Sequence, residues 1–157
     1  MSRPTVAEIN LLSLKKNVKK LKKITRSKIY PVVKANAYGH GLKRVIETIN
    51  GYISGYCVAT FEESIELRRL TSKSVVCMEG PYNLEELKNL EKLNIDYVIH
   101  SNRQISFLEE IKSSDLSGNN KIWLKIDTGM NRLGFKGNEI LKAFTKIYSS
   151  KKKIVLM

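Results

Sequence analysis

Residues 29–41 read IYPVVKANAYGHG. A short apolar run, Ile29 to Val33, stops on a lysine, Lys34, and the chain then becomes small, polar and glycine-rich. A buried strand of a parallel sheet reads as such a run bounded by turn residues. The same alternation continues on both sides. Leu11, Leu14, Val18, Leu21 and Ile24 recur at three- and four-residue steps and predict an amphipathic helix after a strand-like opening over residues 4–10. Downstream, strands are predicted at 55–59 (GYCVA), 74–78 (SVVCM), 95–99 (IDYVI), 121–126 (KIWLKI) and 153–157 (KIVLM). Between them lie helix stripes through Val45 and Ile49, Ile65 and Leu70, Leu84 and Leu90, and Ile105 and Ile111, then a polar loop at 113–120 and a helix near 138–149.

Strands alternating with amphipathic helices mean right-handed βαβ units and an α/β fold with a parallel sheet. Five units and part of a sixth are legible in 157 residues. Length alone favours an open doubly wound sheet, because a closed eight-stranded barrel takes about 250 residues. A last apolar run with no cap or polar tail points instead to the front portion of something longer.

Composition excludes several classes. With 42% hydrophobic and 27% charged residues the chain is that of a globular domain. No apolar run approaches the roughly 18–20 residues of a membrane helix, and the N-terminus lacks the apolar core of a secretory signal. Cys57 and Cys77 sit inside apolar runs, so no disulfide framework is implied and a reducing cytoplasm is expected. The net charge of +13 raises nucleic acid as a partner. Its densest cluster, Lys15 to Lys23, falls on the polar side of a helix, and no zinc-finger spacing or RNP pattern accompanies it; neither nucleic-acid nor membrane binding is expected.

Ligands of parallel α/β folds gather beyond the carboxyl ends of the strands. Two segments put unusual chemistry there. In KANAYGHG (34–41), Lys34 could be the amine of a Schiff base or a snorkelling strand-end lysine. Tyr38 could donate to a phosphate oxygen or lid the core, and His40, like His100, reads as structural. In DTGMNRLGF (127–135), Arg132 could bind a carboxylate bidentately, with Asp127 fixing either that arginine or the loop backbone. Lys125 alternates along the strand and could point into a barrel interior, where it needs an acid partner or chemical modification.

Together VVKANAYGHG and KIDTGMNRLGF resemble the alanine racemase family, in its N-terminal barrel domain; PTVAEINLLSLKKNVKKLKK, YCVATFEESIELR and IDYVIHSNRQISFLEE are similar to it as well. The resemblance spans essentially the whole chain. It implies a TIM-type (β/α)8 barrel of pyridoxal 5′-phosphate fold type III, of which residues 1–157 are the first five to six βα units. It implies that Lys34 binds the cofactor and acts as base or acid at the substrate Cα. Tyr38 would contact the cofactor phosphate, and Arg132 the cofactor and the substrate carboxylate. Lys125 matches a lysine that is carbamylated in some members. The full-length protein would be a cytoplasmic homodimer interconverting L- and D-alanine for peptidoglycan, with no metal. The second proton-transfer group, a tyrosine of the partner's C-terminal domain in this family, lies outside the chain, so the fragment alone is expected to be inactive. The alternatives are a racemase of broader amino-acid specificity and a truncated or decayed gene product without catalysis.

Overall fold

The computed structural model describes residues 4–116 and 118–157. Five strands form one parallel sheet in the order β1 (Gly55–Val58), β2 (Ser74–Cys77), β3 (Asp96–Ile99), β4 (Ile122–Leu124) and β5 (Ile154–Leu156). Every strand pairs with its sequence neighbour and the order never reverses. A doubly wound sheet reverses at a switch point; a barrel does not. The helices settle the matter. Those packed on the sheet, α3 (Leu42–Ile49), α4 (Phe61–Leu70), α5 (Leu84–Lys92), α6 (Asn102–Glu110) and α7 (Asn138–Tyr148), join one core with Tyr56, Val75, Tyr97 and Leu124. The other sheet face holds a separate cluster of Cys57, Val76 and Val98 with Tyr30, Met78 and Trp123, and no helix residue among those described enters it. Helices on one face and sequential strands make an arc of a (β/α) barrel, as the resemblance implied and length alone did not.

The arc is strongly curled. Tyr30 precedes β1 and Trp123 lies on β4, positions roughly 19 Å apart in a flat sheet at about 4.8 Å per strand. Their rings nevertheless meet edge-on at 5.5 Å between centroids. One lumen is accordingly lined from both edges, by Tyr30 and Val32 on one side and Val155 and Met157 on the other.

Three expectations need correction. Residues 4–10 form no strand; they are exposed coil, and Asn10 caps α1 (Leu11–Ile24) by accepting from the Ser13 N–H at 2.9 Å. IYPVVK yields one parallel bridge, Val32 to Cys57, rather than a full strand. Pro31 has no N–H to offer a ladder, although its carbonyl accepts from the Cys57 N–H at 2.9 Å. The α1 stripe is only half used: Val18 is buried, while Leu21 and Ile24 are exposed. Helix α1 has 14 residues and α3, on which it packs, has 8, so the last turns of α1 overhang their support. The polar loop at 113–120 contains a 3-10 turn, Ser113–Leu116; Ser117 lies outside the described residues. Both cysteines are free and buried, and burial raises their thiols, Cys57 to about 11 and Cys77 to about 12. Among the described residues no helix is long and apolar enough to cross a membrane.

Candidate active site

Lys34 does not end a strand. It opens α2 (Lys34–Tyr38), a single turn that winds the wrong way: Ala35, Asn36, Ala37 and Tyr38 have φ of 50, 54, 54 and 54°. Each L-residue in that region costs about 1–2 kcal/mol, so the surroundings must hold it. They do so through the backbone. The Ala37 N–H donates to the Val33 carbonyl at 2.9 Å, the Gly39 N–H to Ala35 at 3.0 Å and the Gly41 N–H to Asn36 at 3.1 Å. The Asn36 side chain accepts from the Leu42 N–H at 2.7 Å, capping α3 from outside. His40 Nδ1 lies 2.9 Å from the Ala37 carbonyl, and a carbonyl only accepts, so Nδ1 carries the proton. His40 is thus a strut of the turn, as expected.

The base of the turn is fixed to β1, where the Val33 N–H donates to Cys57 at 2.8 Å. Lys34 is half-buried at the carboxyl end of the sheet, Ala37 is buried, and Tyr38 is exposed.

At the same end, after β4, lies the second segment. Phe135 turns back to bridge Ile126, and the chain between them is a loop. Asp127 organises it. One carboxylate oxygen accepts from the Gly129 and Asn131 N–H groups, both at 3.0 Å; the other meets Lys136 at 3.3 Å. Asp127 therefore serves the loop backbone, and of the two readings open for it the arginine partner is the one the structure does not take. The Gly129 amide first, then Asn131 and Lys136, hold its carboxyl below the ordinary carboxylate range. A group with a lowered folded value contributes stability above its unfolded pKa and loses it as pH falls through the folded one. The loop is expected to stay ordered at neutral pH and to loosen below about pH 4, seen as loss of exchange protection at the Asn131 amide; an amide indifferent to acid would refute this.

Arg132 is exposed in this loop, four sheet positions from Lys34, and takes part in no ion pair among the described residues. The structure brings Lys34, Tyr38 and Arg132 to one end of the barrel, and no hydrogen bond or ion pair joins them among the described residues. Lys125 is half-buried and shares the Trp123 side of its strand by alternation. It too pairs with no acid among the described residues. His100 Nε2 lies 3.0 Å from the Glu79 carbonyl, which also accepts from Gln104 at 2.7 Å. These bonds pin the loop after β2 onto β3, where a Cβ on Gly80 would come within 2.0 Å of the Val98 carbonyl. His100 is structural.

The chain matches the family model described as "Alanine racemase, N-terminal domain" over residues 9–157. It belongs to the alanine racemase family. Curated alanine racemases of Haemophilus influenzae and Erwinia tasmaniensis are 40% and 39% identical to it over 140 and 153 residues, covering 88% and 96% of this chain. The solved alanine racemase of Acinetobacter baumannii superposes with a TM-score of 0.86 at 33% identity, over 94% of this chain and 42% of that one. The chain spans about two fifths of the curated relatives it matches, 38% and 42% in these two.

Glu63 carries no mark of chemistry in the sequence and still enters the site: its carboxylate accepts from the Ala35 N–H at 2.7 Å. The signal available was the T-x-x-E spacing from Thr60, a helix-capping pattern set directly after a strand.

Proposed function

We propose that this alanine racemase family chain carries the lysine half of a pyridoxal 5′-phosphate site and that the complete protein interconverts L- and D-alanine. One observation carries the reading: Lys34 stands at the carboxyl end of the sheet on a turn held in a costly conformation by backbone and side-chain hydrogen bonds. Such cost is tolerated where a side chain must be aimed. The residues suit the group. A phosphate ester needs cationic and hydroxyl donors, and Lys34 and Arg132 are cations outside any ion pair among the described residues, while the exposed Tyr38 presents a phenol.

When bound, the cofactor supplies the electron sink that stabilises a carbanion at the substrate Cα. The chain does the rest. Lys34 Nζ would hold the cofactor and take a proton from, or return it to, one face of Cα. Tyr38 would orient the phosphate. Arg132 would anchor the substrate carboxylate, and a modified, anionic Lys125 would steady the guanidinium. Inversion needs a second group on the opposite face, which the resemblance assigns to the partner subunit and to a part of the family this chain does not span. The 157-residue chain alone is therefore expected not to racemise alanine.

The test is covalent trapping. The chain is mixed with pyridoxal 5′-phosphate, reduced with borohydride and mapped by peptide mass. Lys34 should carry the label ahead of every other lysine, and Lys34→Ala should lose it. A label concentrated on another lysine, or spread evenly over the surface, would overturn the reading.

A further inference from the structure

We infer that Glu63 is a positioning residue for Lys34, replacing with its two carboxylate oxygens the two ladder hydrogen bonds that the left-handed turn breaks. This deepens the reading of Lys34 just given and rests on it only for the amine's role.

The ladder between residues 31–33 and β1 begins regularly, with Cys57 N–H to Pro31 and Val33 N–H to Cys57. In a parallel ladder the next rungs would send the Ala59 N–H to the Val33 carbonyl and the Ala35 N–H to the Ala59 carbonyl. Neither forms. The Val33 carbonyl accepts from Ala37, closing the left-handed turn, and the Ala59 carbonyl accepts from the Glu79 N–H at 3.0 Å. Two N–H groups at the rim, of Ala35 and Ala59, are left without a backbone partner. Glu63 takes both. Oε1 accepts from Ala35 at 2.7 Å, and Oε2 from Ala59 at 2.8 Å and from Thr60 at 3.3 Å.

The consequence for Lys34 is geometric. The Ala35 N–H lies in the peptide plane that contains the Lys34 carbonyl. Fixing that N–H fixes ψ of Lys34, and with it the direction in which the lysine side chain leaves the backbone. Only a carboxylate can do this here. Glutamine offers one acceptor oxygen and would turn an NH2 group toward the other N–H. Glu63 is itself held by the first turn of α4, where the Thr60 hydroxyl accepts from its N–H at 3.3 Å, so the rigid element behind the lysine is a helix.

Glu63→Gln is the test, read without and with cofactor. Amide exchange at Ala35 or Ala59 should rise by about tenfold, the loss of one hydrogen bond, while the other α4 amides keep their protection. In chain whose lysines are reductively methylated with ¹³C-formaldehyde, the Lys34 methyl resonance should shift or split. The Lys34 share of the borohydride-trapped pyridoxal 5′-phosphate label should fall severalfold. Glu63→Asp, one methylene short, should move the same resonance. Thr60→Ala, which removes the cap but leaves the carboxylate, should move it far less. An unmoved Lys34 resonance in the Gln and Asp variants, or an equal shift in Thr60→Ala, would overturn the inference. Failure of the parent chain to label at Lys34 would overturn the cofactor reading instead, leaving the exchange and methyl readouts to decide on Glu63.

Discussion

Lys152→Met is expected to destabilise the chain by about 3–5 kcal/mol, the cost of stripping a buried carboxylate of its partner. The ammonium lies 2.7 Å from Glu91, with side chains 5% and 1% exposed. It also donates to the Gly118 carbonyl at 2.6 Å and to Asn120 at 2.7 Å. The other Glu91 oxygen accepts from the Tyr97 hydroxyl at 2.8 Å and from Asn120 at 3.3 Å. All three ammonium protons and both carboxylate oxygens have partners, and among the described residues no buried side-chain polar atom lacks one. The network sits beneath β3, β4 and β5, so it ties together three strand starts at the end of the barrel opposite Lys34. For a chain of this size the loss should lower the melting temperature by about 8–15 °C. Lys152→Met combined with Glu91→Leu should recover a large part of it, because a buried pair replaced whole is often neutral. A single substitution that melts within a degree or two of the parent would show that the pair contributes nothing. Burial and the adjacent Glu91 also raise the Tyr97 hydroxyl well above its ordinary value. That share of stability is present below the unfolded tyrosine pKa of about 10 and is lost as pH rises from there toward the folded value.

Ala37→Val is the second large effect. Ala37 has φ 54° and ψ 48° and is buried, so valine there adds a branched Cβ in a region β-branched residues avoid and extra volume at a buried position. A cost of roughly 2–5 kcal/mol is expected in urea unfolding. Ala37→Gly should be close to neutral, since relief of the left-handed strain offsets the added freedom of the unfolded chain. If valine were tolerated as well as glycine, the turn would not be left-handed in solution.

The strand and helix alternation was legible because each βα unit carries its own period: GYCVA, SVVCM and IDYVI are continuous apolar runs, and the helix stripes fall at three and four residues. The lysine and arginine segments were legible as strand-end departures from that pattern. The handedness of 35–38 was not, since no glycine marks it; Ala35, Asn36 and Ala37 are forced there by hydrogen bonds that the Val33 and Asn36 carbonyls and the Asn36 side chain accept. Glu63 was hidden among the glutamates of an exposed-looking helix start. The Lys152–Glu91 pair was hidden too, because 61 residues separate its members and lysines are common in this chain. The overhang of α1 depended on the length of its neighbour, which no local window contains.

Trp123 is the chain's one tryptophan. Its indole donates to Asp96 at 3.2 Å and its ring abuts Tyr30 across the lumen. Ultraviolet emission excited at the red edge of the indole band, where the chain's seven tyrosines do not absorb, is therefore a single-site signal from the barrel's interior. A red shift on uncurling the arc, or quenching by a small solute admitted between its edges, would follow the opening of that space without any added dye.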